Sequence, residues 1–382
     1  MFQERLIRLK AAGLLRERND REGPQARHLR MEGRELLNFA SNDYLGLAAD
    51  PRLKEAARRA LQREGTGGGA ARLLGGGSTL QRELETAAAA LKGAPDALLL
   101  GSGFQANTGI LPALAGRGDV ILSDELNHAS IVDGTRLARA MTYRYRHRSM
   151  EHLEKLLGKV AVSGKRIVAT DTVFSMDGTV APLRDILSLC ERYDALLYLD
   201  DAHGTGVLGG GRGALSHAGL APGGRVIQMG TFSKALGSYG AFAAAEGAAI
   251  EWLVQAARSF VYSTALPPAV VAASLEAVRI VSREPVPEVE RLWRNRELLH
   301  RGLGELGLDT GRSETPILPV FPGDVERTLR VARGLREQGI YAPAIRPPTV
   351  PTPRIRLSVT AAHGEEDVDR LLRALKDVLA SL

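Results

Sequence analysis

From about residue 95 to 245, short apolar runs alternate with stretches whose apolar positions recur at helical spacing. The runs are Ala97–Leu100, Asp119–Leu122, Arg166–Ala169, Ala195–Leu199 and Val226–Met229. Continuous apolar runs separated by crossovers read as parallel strands covered on both faces. The pattern therefore predicts an α/β fold with a doubly wound, mostly parallel central sheet. In open sheets of this kind ligands bind outside the carboxyl ends of the strands. The residues directly after each run are Gly101–Phe104, Ser123–Asp124, Asp171–Thr172, Asp200–His203 and Thr231–Lys234, and they are rich in chemically useful side chains.

Around Pro285 to Pro287 the pattern changes. A long helix is predicted over Val289–Leu306, then strands at Ile317–Phe321, Ile340–Ile345 and Arg354–Val359, and a final helix from about Glu365. The expected organisation is an N-terminal arm over 1–45, a large domain over 46–283 and a smaller α+β domain over 284–382. The glycine-rich stretch at 65–77 reads as a loop before a helix starting near Thr79. It lacks the Gly-Lys-Ser/Thr ending of a nucleotide phosphate loop and the dinucleotide spacing.

Charge narrows the function classes. The net charge of +6 comes from arginine, since only eight of the 50 basic residues are lysines. The arginines are spread among glutamates at helical spacing, as solvated faces are, and no basic run is interleaved with aromatics, so nucleic-acid binding is not expected. The single cysteine, Cys190, excludes an intrachain disulfide and any multi-cysteine metal site. No window approaches the ~20 apolar residues of a membrane span, and the N-terminus has no apolar signal core. A cytoplasmic protein without a membrane partner is expected.

Lys234 follows a strand and a Gly-Thr-Phe-Ser turn, among small and apolar neighbours. Partial desolvation there would lower the amine's pKa and free its lone pair for a carbonyl. Taken alone, it reads as a surface loop lysine; its company changes that reading. Asp200 ends an apolar strand, where a carboxylate needs a cation or strong donors; a protonated pyridine nitrogen is one such cation. Asp201 should point to the opposite face and play a structural part. His203, in a Gly-Thr-Gly context, and His128, past another strand end, could each reach a flat ligand or simply be a turn or surface histidine. Gly101–Phe104 lies where a strand meets a helix, and N–H groups at a helix start can cradle phosphate.

Taken together, these residues resemble fold-type I pyridoxal-phosphate enzymes, specifically the α-oxoamine synthase family. The similarity runs over nearly the whole chain. Its landmarks are Asn38–Gly46, Gly101–Asn107, Asn127–Ser130, Val173–Gly178, Asp200–Gly206, Thr231–Lys234 and Tyr262–Pro268. The segment Ala344–Pro351 with Arg354-Ile-Arg-Leu is similar to the biotin-pathway branch of that family.

The resemblance implies pyridoxal 5′-phosphate as cofactor, Lys234 holding its aldehyde, Asp200 pairing with the ring nitrogen and His128 stacking on the ring. Ser175 and His203 would bond near the ring hydroxyl, and Gly103, Phe104 and Thr231 would hold the cofactor and its phosphate. Ser263 and Thr264 would reach the phosphate of the partner subunit in a homodimer. Asn42, Arg346 and Thr349 match substrate-contacting positions, as does Arg16, an N-terminal arginine near the acyl substrate. The implied catalytic set is Lys234, His128, Asp200 and His203, with His128 also touching substrate. The implied reaction condenses L-alanine with pimeloyl-CoA or a pimeloyl acyl carrier protein, with loss of carbon dioxide.

Three departures stand out: Ala71 where relatives place serine or threonine, Gln81 where many have histidine, and Asp171-Thr172 in place of Glu-Gly. The first bears on the choice of amino acid, and condensation of glycine with acetyl-coenzyme A is the nearest rival. A metal hydrolase using Asp124, His128, Asp200 and His203 is a rival of another class, although metal-ligand spacing on a single helix is absent. A non-catalytic dimer is disfavoured because every expected position is filled.

Overall fold

The computed structural model describes residues 2–16, 18–160 and 163–382. In chain order its strands are β1 (His28–Met31), β2 (Arg34–Asn38), β3 (Asp96–Leu100), β4 (Val120–Asp124), β5 (Met141–Tyr145), β6 (Arg166–Asp171) and β7 (Ala195–Asp200). They continue with β8 (Val226–Thr231), β9 (Ala241–Ala245), β10 (Ile317–Val320), β11 (Ile340–Tyr341), β12 (Ala344–Ile345) and β13 (Arg354–Ser358). The chain forms two compact units, one of residues 49–174 and 180–289, the other of residues 1–48, 175–179 and 290–382. The segment 1–45, expected as an arm, thus shares a compact unit with the C-terminal residues.

The larger unit is built on a seven-stranded sheet in the order β3-β9-β8-β7-β6-β4-β5. Every neighbouring pair from β8 through to β5 is parallel, while β9 runs antiparallel to both β8 and β3. The five predicted runs are all strands of this sheet. Leu98, Ile121, Ile167, Tyr198 and Ile227 join Ile110 and Leu111 from the helix Gly103–Leu114 in one buried cluster. Two strands go beyond the prediction. β5 lies at the sheet edge and is largely exposed, so its sequence Met-Thr-Tyr-Arg-Tyr carries no continuous apolar run. β9 reads Ala-Phe-Ala-Ala-Ala, a composition that favours helix, yet it is fully buried between two strands. At Gly230 a Cβ would lie 2.4 Å from the Phe242 ring, so glycine lets β9 pack closely on β8 just before Thr231.

Local signals set the helix starts. Ser78 and Gln81 form a reciprocal capping box on the helix Thr79–Lys92, which ends at Gly93 with φ 63°. Asp50 caps Pro51–Glu64, with proline in its first turn. Ser102 accepts from the Gln105 N–H and so caps Gly103–Leu114.

The smaller unit carries two three-stranded sheets, β1-β2-β11 and β10-β13-β12. The segment Ile340–Ile345, expected as one strand, is divided. Pro343 has no N–H to give to a ladder, and β11 pairs parallel with β2 while β12 pairs antiparallel with β13. The expected C-terminal helices are Pro287–Glu305 and Glu365–Ala380. Among the described residues no helix is long and apolar enough to cross a membrane.

Candidate active site

Because β3, β4, β6, β7 and β8 point the same way, their carboxyl ends share one edge of the seven-stranded sheet. Asp200 is the last residue of β7 and only 4% exposed. Its carboxylate accepts from Asn107 Nδ2 at 2.7 Å and from the Ala202 N–H at 3.0 Å, both neutral donors. Burial pushes this carboxyl above its ordinary range, opposed first by the charge of Lys234 and then by the Asn107 bond.

His128 follows β4 and caps the helix Ala129–Ala138. Its Nδ1 lies 2.7 Å from Ser130 Oγ, which accepts in turn from Asn107 Nδ2 at 2.7 Å. Burial lowers the imidazole pKa; Asp200 opposes that shift and Lys234 adds to it. The neutral ring is therefore favoured. Asp171, at the end of β6, receives the His128 N–H at 2.6 Å. Its carboxyl is pushed well up by burial and next by the charge of Asp200. With two buried carboxyl groups in one field, a cation beside Asp200 would stabilise the ionised form there.

Lys234 sits half-buried in a turn after β8, with the Gly237 N–H bonded to its carbonyl at 2.9 Å. Thr231 steadies that turn: its hydroxyl donates to Gly240 O at 2.7 Å and accepts the Ser233 N–H at 3.2 Å. His203 is buried in the turn after β7. Gly103 and Phe104 open their helix directly after β3, so their N–H groups precede the first intrahelical bonds. An amine, a buried carboxylate, a neutral imidazole and a helix start along one edge form a donor set that fits pyridoxal phosphate.

Asp201 does turn the other way. Lys92 Nζ, with no exposed side-chain surface, lies 2.5 Å from Asp201 Oδ2. The hydroxyls of Thr172 and Thr205 donate to the same carboxylate at 2.5 and 3.0 Å. Lys92 also donates to Arg212 O at 2.8 Å. The three departures have structural counterparts. Gln81 completes the capping box and donates to Leu266 O, Asp171 holds the His128 backbone, and Ala71 pairs in an isolated bridge with Thr264. Ser263 is half-buried and Thr264 exposed beside that bridge.

The remaining expected residues lie in the smaller unit. Arg356, 6% exposed, donates to Ser175 O at 2.5 Å, Asn42 Oδ1 at 3.0 Å and Ser358 Oγ at 2.7 Å. Arg16 donates to Thr349 Oγ1 at 3.1 Å, and Arg346 donates to Gly13 O and Leu15 O at 2.6 and 2.8 Å. Arg346 and Thr349, expected at substrate, thus bond the N-terminal segment here.

Asn107, Ser130, Lys92 and Arg356 were not singled out by the sequence. Asn107 had a signal as the polar residue among Ala106, Gly109 and Ile110 on a buried helix face. Arg356 alternates with apolar residues in a strand buried at every position. Among the described residues no three His, Cys, Asp or Glu side chains are placed to hold a metal ion.

Residues 34–375 match the family model described as aminotransferase class I and II. The chain is 49% identical to the 8-amino-7-oxononanoate synthase of Geotalea daltonii, over 99% of this chain and 97% of that one. Among solved structures, SPT with PLP matches with a TM-score of 0.94 at 29% identity, covering 100% of this chain and 97% of the other. An 8-amino-7-oxononanoate synthase from Francisella tularensis matches with a TM-score of 0.78 at 26% identity, covering 91% and 98%.

Proposed function

The chain belongs to the 8-amino-7-oxononanoate synthase family of pyridoxal-phosphate acyltransferases, and on that premise we propose that it condenses L-alanine with a pimeloyl thioester to give 8-amino-7-oxononanoate. The observation that carries this reading is the grouping of Asp200, His128 and Lys234 at the carboxyl edge of one sheet, with the charge of Lys234 bearing on both of the others.

Pyridoxal phosphate, when bound, supplies an aldehyde for the amino group of alanine and a cationic ring that draws electrons from its Cα. Lys234 takes the Cα proton and holds it on Nζ. The electron pair left on Cα bonds to the thioester carbonyl carbon, the C–S bond breaks, and the sulfur leaves as a thiolate that takes a proton from water. The alanine carboxylate then departs as carbon dioxide, and Lys234 returns a proton to the same carbon.

Asp200 would keep the ring nitrogen protonated, His128 would cover the ring face, and His203 and Ser175 would bond its hydroxyl. Gly103, Phe104 and Thr231 would hold the phosphate end. Arg356, a buried guanidinium whose hydrogen-bond acceptors are all neutral, receives the alanine carboxylate. Asn42, Arg16, Arg346 and Thr349 line the path of the substrates. Ser263 and Thr264 reach the phosphate bound by a second copy in a homodimer. Leu74 and Tyr262, 80% and 72% exposed, support that assembly as apolar surface a partner would cover.

The deciding experiment sets alanine and glycine side by side with pimeloyl and acetyl thioesters, following carbon dioxide and free thiol. Alanine with the pimeloyl donor should be turned over best. A preference for glycine with acetyl-coenzyme A would move the protein to the other branch of its superfamily.

A further inference from the structure

Strand β13 buries two guanidinium groups. Arg354 and Arg356 are 4% and 6% exposed, and residues two apart on a strand point to the same face, about 7 Å from each other. Taking a cation out of water is costly unless a carboxylate or several acceptors meet it, and two cations on one face also repel. The surroundings answer that cost unequally. Arg354 donates to the Asp177 carboxylate at 2.6 Å and to the carbonyls of Met176 and Thr352, each at 3.1 Å. It also lies over the Phe321 ring, 5.0 Å from the centroid. Arg356 meets only neutral acceptors: Ser175 O, Asn42 Oδ1, Ser358 Oγ and, at 3.4 Å, the Tyr44 hydroxyl.

Both arginines thus hold one short segment, yet its single carboxylate goes to Arg354. The backbone of that segment does not depend on the Asp177 side chain. Ser175 O is held by Arg356, and Gly178 O accepts the Thr315 hydroxyl at 3.1 Å and the Glu314 N–H at 3.0 Å. Gly178 has φ 69°, and a Cβ there would lie 2.2 Å from Ile317 O, so only glycine lets the segment sit this close to β10.

We propose that Arg354 is a positioning residue that holds the Asp177 carboxylate away from Arg356, leaving the Arg356 charge uncompensated for the carboxylate of the amino-acid substrate. This rests on the reading of Arg356 as the partner of the alanine carboxylate and adds what keeps that partner available. Without Arg354, Asp177 becomes an internal ligand tethered two residues from the carbonyl that Arg356 already holds. A competitor occupying Arg356 for about nine-tenths of the time weakens the apparent affinity for substrate about tenfold.

The test titrates alanine into the cofactor-loaded protein without thioester and reads the dissociation constant from the visible spectrum. Arg354→Gln, which keeps an amide donor but no charge, should raise that constant about tenfold or more. Arg354→Gln with Asp177→Asn neutralises the competitor and should return to within about threefold of the parent, as should Arg354→Lys, which keeps a cation for Asp177. In turnover the Arg354→Gln effect should appear in KM for alanine and not in KM for the thioester. Should Arg354→Gln not fold, Arg354→Met with and without Asp177→Asn makes the same comparison. An unchanged dissociation constant in the single variant would overturn the proposal. So would an equally weak double variant, because the loss would then come from a displaced strand and not from a freed carboxylate. Glycine titrated alongside separates this role from the choice of substrate: the same pattern with glycine but no binding of alanine keeps the role of Arg354 and overturns the alanine reading.

Discussion

Asn107 Nδ2 sits 2.7 Å from Asp200 Oδ2 and 2.7 Å from Ser130 Oγ, so one amide ties the strand-end carboxylate to the hydroxyl beside the His128 ring. Its own oxygen is held by Tyr198 OH at 2.5 Å, which fixes which way the amide faces. Replacing Asn107 with alanine removes a neutral donor from a buried carboxylate and frees Ser130. A lost bond to a charged group is worth roughly 1.5–3 kcal/mol. Cofactor affinity in Asn107→Ala should fall by about ten- to a hundredfold, read by absorbance titration with pyridoxal phosphate. An unchanged dissociation constant would mean that Asp200 does not depend on this amide.

Removing the amine should separate chemistry from folding. Lys234→Ala should lower kcat by at least about a thousandfold, since both the base and the carbonyl partner are lost. The parent protein with cofactor should show a visible band that borohydride bleaches, and the variant should not, while its thermal midpoint without cofactor stays close to the parent's. Full activity in Lys234→Ala would sink the assignment.

Much of this edge was readable because it obeys one periodicity rule. Strands covered on both faces are apolar throughout, so Asp200 and the Thr231–Lys234 turn stand out where the apolar runs stop. β5 and β9 escaped the same rule for opposite reasons. β5 is an edge strand with too little burial to need apolar residues, and β9 is so enclosed that alanine serves where a β-branched residue would crowd the neighbouring strand. The Lys92–Asp201 pair was half legible. Alternation along the chain placed Asp201 opposite Asp200, but nothing local marks a lysine in the last turn of the helix Thr79–Lys92 as buried. A lysine there usually reaches solvent beside the helix C-terminus. Its partner lies 109 residues away, and only the tertiary fold brings the two together.

That buried pair makes a stability prediction. Lys92→Met leaves the Asp201 carboxylate enclosed with two hydroxyls and a backbone N–H but no cation. Breaking a buried pair from one side costs about 3–5 kcal/mol. Urea unfolding should show a loss of that order for Lys92→Met, and combining it with Asp201→Leu should recover a large part. A double variant no more stable than the single one would show that the carboxylate's other bonds, to Thr172, Thr205 and Ala214, carry the turn.

Arg356 should act through substrate binding. If it receives the alanine carboxylate, Arg356→Gln raises KM for alanine by about ten- to a hundredfold, the range for losing a charge-assisted bond. KM for the pimeloyl thioester should change little. An equal rise in both would mean that Arg356 holds the Asn42 side chain and the Ser175 backbone in place rather than alanine itself.

His363 gives the smaller unit a pH dependence whose sign can be worked out. Its ring stacks on Phe39 with centroids 4.3 Å apart. Nδ1 accepts the Thr360 N–H at 3.0 Å, and Nε2 faces Asn38 O at 3.1 Å, so the neutral ring with its proton on Nε2 satisfies both partners. Burial lowers its pKa from 6.5 to about 4, against the opposing charge of Asp367. Between those two values the unfolded chain binds a proton that the folded chain refuses. Stability from this group is therefore complete above pH 6.5 and declines as the pH falls toward 4, by at most about 3 kcal/mol. Thermal midpoints of the parent and of His363→Gln, measured from pH 7 to pH 4.5, should converge as the pH falls, because the variant starts lower but lacks this slope. Parallel curves would mean that His363 takes up its proton over the same pH range in the folded and unfolded chains.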